Sequence, residues 1–195
     1  MIRRINAASN IFTLPVGSVW AYCSGITLLT GYPSAANPYL KYVFFYENTL
    51  TNINSFQNTA ITGTLRIEGG ITTINTQNFY QCTNITKVIT GNSVTTINGT
   101  NVSGAFYQCT SLQTADLGEG ITSIGIDTFR DCTSLASIIC RAYNPPTLAT
   151  NAFRGIPSAS PLITKFYVPN DRVNAYKNAT GWVQFASRIF SINDL

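Results

Sequence analysis

Three cysteines stand in one local frame: NFYQCTNI at residues 78–85, AFYQCTSL at 105–112 and TFRDCTSL at 128–135. In each, Phe is followed by two residues, then Cys, Thr, a polar residue and an aliphatic one. A thiolate can ligate a metal, close a disulfide or attack as a nucleophile, and each chemistry demands its own spacing. Zinc needs closely paired thiolates, usually separated by about two to four residues. Cys82, Cys109, Cys132 and Cys140 form no such pair. A disulfide between successive copies would need both side chains to turn toward each other, and a total of five cysteines leaves one over. A nucleophilic Cys needs a base, and the chain has no histidine. That also removes Ser/His/Asp catalysis, histidine zinc sites and histidine pH switching. What remains is the buried thiol as a small hydrophobe. Cys23 lies outside the frame.

The carboxylates suggest no chemistry either. Asp127 and Asp131 flank Phe129, and Asp116 and Glu119 lie near a turn. A glycosidase pair would need two carboxylates at a set separation across a cleft, and nothing marks a cleft. These acids are expected to be solvated turn residues. No phosphate-binding loop, nucleophile elbow or dinucleotide fingerprint occurs. No catalytic residue, metal ligand or cofactor is expected.

The elements that carry the frame come out of the periodicity. Anchored on Cys, the copies are spaced 109 − 82 = 27 and 132 − 109 = 23 residues apart. Aliphatics recur after each anchor: Ile85, Leu112 and Leu135 three residues on, then Val88, Ala115 and Ile138. The frame extends upstream with Thr59 at the Cys position and Phe56 before it, followed by Leu65, Ile67, Ile71 and Ile74. Downstream it degenerates into Leu148, Phe153 and Ile156. The longer period comes from four extra residues in NGTNVSGA, whose Asn and Gly content predicts a surface turn. A period near 23 fits the leucine-rich repeat class, at roughly 20–29 residues with one short strand per coil. Alternation at Leu112, Ala115 and Leu117 predicts that strand. Phe-x-x-Cys then falls on the return side as a short helical turn, with both side chains pointing inward. Phe79, Cys82, Phe106, Cys109, Phe129 and Cys132 are the expected core ladder.

These copies resemble the BspA-like leucine-rich repeat. Residues 123–135, SIGIDTFRDCTSL, and 104–112, GAFYQCTSL, carry the resemblance most fully. The tail resembles the ending of such proteins from Bacteroides-type gut bacteria: Asn144 to Leu148, then Phe166 to Pro169, then Val173 to Lys177 with Gly181 and Trp182. The likeness covers about residues 50–192. It implies a mostly β solenoid of the α/β-repeat type, coiled right-handed. It also implies a non-enzymatic role in protein contacts; for BspA-like proteins that role is adhesion at the bacterial surface.

Three regions are expected: an amino-terminal capping or docking segment over 1–49, the solenoid over 50–160, and a strand-helix cap over 161–195. In the last, Lys165–Val168 reads as the final strand, with Asn170 or Asp171 capping a short helix. Trp182 and Phe185 are expected to cover the last coil. In the first, Tyr42, Phe44, Phe45 and Tyr46 make a dense aromatic strand and the candidate docking segment.

Composition bounds the partners. Only 10% of residues are charged, against about 25% in an average domain, and Asn, Thr, Ser and Gly make up the difference. The net charge of +4 comes from scattered basic residues rather than a cluster, so no nucleic-acid partner is expected. Asn6, Ser9, Asn10 and Pro15 interrupt the apolar run that a signal peptide needs. No apolar stretch is long enough to span a membrane. Without an export signal, the expected setting is a virion surface, where the chain would be a bacteriophage structural or display protein. The alternative is an extracellular adhesin at the bacterial cell surface. The expected partners are virion proteins or host surface proteins, with a homo-oligomer as a further candidate.

Overall fold

A computed structural model describes residues 56–58, 61–159 and 161–195 in full, and the backbone of five strands before them. Nine strands form one parallel sheet in chain order. They are Arg4–Asn6, Trp20–Ser24, Tyr42–Phe45, Thr62–Ile67, Asn84–Thr90, Thr114–Leu117, Ser137–Cys140, Lys165–Val168 and Ile189–Ser191. Each neighbour in space is the next strand of this set in sequence, so the chain advances by one coil per strand.

Alternation of inward aliphatics explains the strands. In Thr114–Leu117, Ala115 and Leu117 are buried on the side facing the core. Their register partners Val88 and Ile138 are buried as well. Because the side-chain period is two, a slip of one residue would turn every aliphatic outward. The register shifts once, at Gly63/Thr64 against Asn84–Thr90. Gly63 takes a positive φ of 74° there, a conformation that favours glycine.

A second parallel ladder runs along another edge of the coil: Thr73–Ile74, Thr96–Ile97, Ser123–Ile124 and Thr147–Leu148. Ile74, Ile97 and Ile124 are fully buried. The four extra residues form a small hairpin, Gly99–Thr100 against Ser103–Gly104. Its tip residue Val102 is 77% exposed while Ser103 is buried.

Two expectations for the tail need correction. Lys165–Val168 is not the final strand, because Ile189–Ser191 pairs with it in parallel beyond. The chain makes a 3-10 turn over Val183–Arg188 and returns to add that strand, burying Ile189. Nor does Asn170 or Asp171 cap the helix Val173–Asn178. Its N-cap is Arg172, with no side-chain cap, because a 3-10 turn over Asn170–Arg172 leads directly into it. The helix still buries Tyr176. Trp182 and Phe185 pack on Phe153 and Phe166. The Trp182 indole N–H is satisfied by the Pro146 carbonyl at 2.8 Å.

Residues 1–49 contribute the first three strands of the sheet. Tyr42–Phe45 pairs with Trp20–Ser24 on one side and, through Phe44 and Phe45, with Arg66 and Ile67 on the other. Tyr46 lies outside the described residues. Cys23 is in register with Ile5 and Phe45. Among the described residues no helix is long and apolar enough to cross a membrane.

Candidate functional site

Phe79, Phe106 and Phe129 are fully buried and stacked, with ring centroids 5.3 Å apart at each step and nearly parallel planes. Phe56 extends the stack at 5.6 Å and Phe153 at 5.5 Å. Beyond Phe153 the geometry changes to edge-on contacts with Phe166 and Phe185. The parallel stack thus ends at Phe153, where the Phe-x-x-Cys frame has already lost its Cys.

The cysteines have a specific place beside this stack. The Cys82 thiol donates to the carbonyl of Phe56, Cys109 to that of Phe79 and Cys132 to that of Phe106, each at 3.1 Å. The same carbonyls of Phe79 and Phe106 also accept the backbone N–H of Cys82 and Cys109 in their own coils. Each thiol thus fills a small apolar space and offers a weak donor to a carbonyl turned into the core. Cys109, Cys132 and Cys140 are free thiols. No group of residues suited to holding a metal occurs among the described residues.

Burial makes these thiols poor nucleophiles. It pushes Cys132 up to about 12 from an ordinary 9.0 and Cys140 up to about 11. Cys109 is raised by burial as well, and its neighbours Cys132 and Cys82 add to the effect. Reactive cysteines need the opposite environment. Cys140 meets the Tyr176 hydroxyl at 3.3 Å, and that hydroxyl donates to the Ala142 carbonyl.

The turn itself differs from a helical one. Asn58, Gln81, Gln108 and Asp131, each just before the anchor position, have φ near 55°, and Gly155 takes 75° at the same point. This left-handed residue aims two backbone N–H groups across to the next coil. Phe79 and Gln81 donate to Ala105 and Tyr107, and Phe106 and Gln108 donate to Thr128 and Arg130. The turns therefore form a hydrogen-bonded ladder of their own.

Two acids expected in solvent are not there. The Asp127 side chain is only 2% exposed and pairs with the Arg130 guanidinium at 3.1 Å. The insertion hairpin packs against its backbone: a Cβ on Gly104 would overlap the Asp127 carbonyl oxygen. Asp116 is buried on the sheet face and accepts from Nε and Nη2 of Arg141, at 2.7 and 3.0 Å. A planar two-point pair of this kind is among the stronger charge-assisted contacts. Outside the core, Tyr80 stacks on Tyr107 at 5.1 Å, and Arg130 lies over Tyr107 at 5.2 Å.

The model of the BspA type leucine rich repeat region matches residues 49–179 in six copies. The chain belongs to the BspA-type leucine-rich repeat family. No curated protein matches it. In this BspA-type chain the repeat's aromatic and thiol positions are stacking positions, and its variable positions face away from the core. On the sheet these are Thr64, Lys87, Thr114, Ser137 and Lys165 in one row. Arg66, Ile89, Asp116, Ile139 and Tyr167 form the next.

Proposed function

We propose that the chain is a protein-interaction module without catalytic activity, carried on a bacteriophage particle as a decoration, fibre or host-contact protein. One contrast carries the interaction reading. Inward rows repeat one chemistry from coil to coil: Leu65, Val88, Ala115, Ile138 and Phe166. Outward rows mix cations, hydroxyls, aliphatics, an aromatic and the Asp116 carboxylate. Solenoids of this kind present such an extended, varied face to their partners, and the family match supports that use here. In this reading the coil is right-handed, as parallel crossovers are. Residues 161–195 close one end, and residues 1–49, largely outside the family match, form the docking end. The low charge and the Asn- and Thr-rich surface support the particle setting. The alternative, a cell-surface adhesin of the BspA-like type, is supported by the family match itself.

Peptide mass spectrometry of gradient-purified phage particles tests the setting. The chain should co-purify with infectious particles. Its absence from them, together with recovery from the bacterial surface, would move the assignment to the adhesin.

A further inference from the structure

The outward row of the sheet ends in a hollow. The hairpin Ser158–Ala159 and Leu162–Ile163 stands beside Lys165–Val168. With Ser187, Arg188 and Phe190 it borders an open hollow of about 340 Å³. Two large apolar side chains open onto this space, Ile163 at 43% exposure and Phe190 at 36%. Phe190 is in register with Tyr167, and Tyr167 with Ile139, so the row runs apolar into the hollow.

Two cations line the same space. Lys165 places its ammonium 5.6 Å from the Phe190 ring centroid. Arg188 lies over the Phe185 and Phe166 rings at 5.0 and 5.7 Å and donates to the Pro157 carbonyl at 3.1 Å. Among the described residues the ion pairs are Arg66–Glu68, Arg130–Asp127, Arg130–Asp131 and Arg141–Asp116. Lys165 and Arg188 therefore meet no carboxylate among the described residues. Arg188 is half-buried and meets two rings and a carbonyl but no counter-charge among the described residues, and an incoming carboxylate would supply one. Apolar walls below two unpaired cations complement an acidic segment with an apolar anchor.

We propose that this hollow docks an acidic segment of a partner protein, with a carboxylate against Lys165 and Arg188 and an apolar side chain against Phe190 and Ile163. This rests on the reading of the chain as a protein-interaction module and gives that module's partner a chemistry.

The test uses two blocked peptides, acetyl-Glu-Phe-Glu-amide and acetyl-Gln-Phe-Gln-amide, titrated into the full chain at low salt while backbone NMR shifts are followed. The acidic peptide should move the signals of Lys165, Tyr167, Arg188 and Phe190. It should bind about fivefold more tightly than the Gln peptide and lose that advantage in high salt. Lys165→Gln, an exposed change that spares the core, should remove most of the difference. Equal binding of the two peptides, shifts confined to other surfaces, or full binding by Lys165→Gln would overturn the proposal. A parallel pull-down separates this outcome from failure of the broader reading. If wild type captures a particle or host protein while neither peptide binds, only the pocket is lost. If the chain captures no protein at all, the module reading itself falls.

Discussion

At the residue scale, the cysteine is the informative position. Phe-x-x-Cys could be read as a frame for packing, because aliphatics follow it at fixed offsets. That the residue is Cys rather than Ala became clear only from the thiol-to-carbonyl contact to the preceding coil. No local pattern encodes a partner more than 20 residues away in sequence. Cys132→Ala should cost about 1–2 kcal/mol in chemical denaturation, from lost packing and a lost weak hydrogen bond. The same variant should respond differently to pH. The Cys132 value is raised from 9.0 to about 12 in the fold. The unfolded chain therefore ionises first, and the native state loses stability as pH rises through that window. Wild type should lose stability more steeply than Cys132→Ala between pH 9 and 12. Parallel slopes for the two would show that the thiol is not buried. The burial of Asp127 was not legible, because the hairpin packed against its backbone belongs to another coil, which its own flanking residues do not reveal.

At the element scale, the turn before each anchor is held by a left-handed residue. Its φ of 55° at Gln108 is tolerated by Gln and open to Gly, but poor for a β-branched side chain. Gln108→Val should therefore destabilise by about 1–2 kcal/mol, while Gln108→Gly should be close to neutral, as read from thermal midpoints. Gly104→Ala should cost more than Gln108→Val, since its Cβ would strike the Asp127 backbone. The main strands were legible because Ala115 and Leu117 alternate with polar residues. The short ladder through Ile97 and Ile124 was not, since two-residue strands carry no periodicity. The strand Ile189–Ser191 was missed for a related reason. It lies outside the repeat frame, and only Ile189 and Ser191 are buried.

At the scale of the whole molecule, coils stack so that each buries its neighbour's apolar edge, and nearest-neighbour contacts supply the cohesion. Phe106 lies between Phe79 and Phe129. Phe106→Ala should thus remove contacts to two coils and cost about 3–5 kcal/mol, read as a shifted denaturation midpoint. The repeat class was legible from the period and the family from the motifs, but not the full number of coils. The family model has six copies, and three strands of the nine-stranded sheet lie in residues 1–49, where no Phe-x-x-Cys marks a coil. What binds the outward rows was not legible either, because solvent and a partner select similar exposed residues. The central claim is that the recurring Phe and Cys form one continuous core and hold no reactive site. Pulsed alkylation with mass spectrometry tests it most directly. Cys82, Cys109 and Cys132 should all stay unlabelled in the native chain over a time that fully labels the unfolded chain, and all should react once denaturant opens the stack. Rapid native labelling of all three would contradict the account.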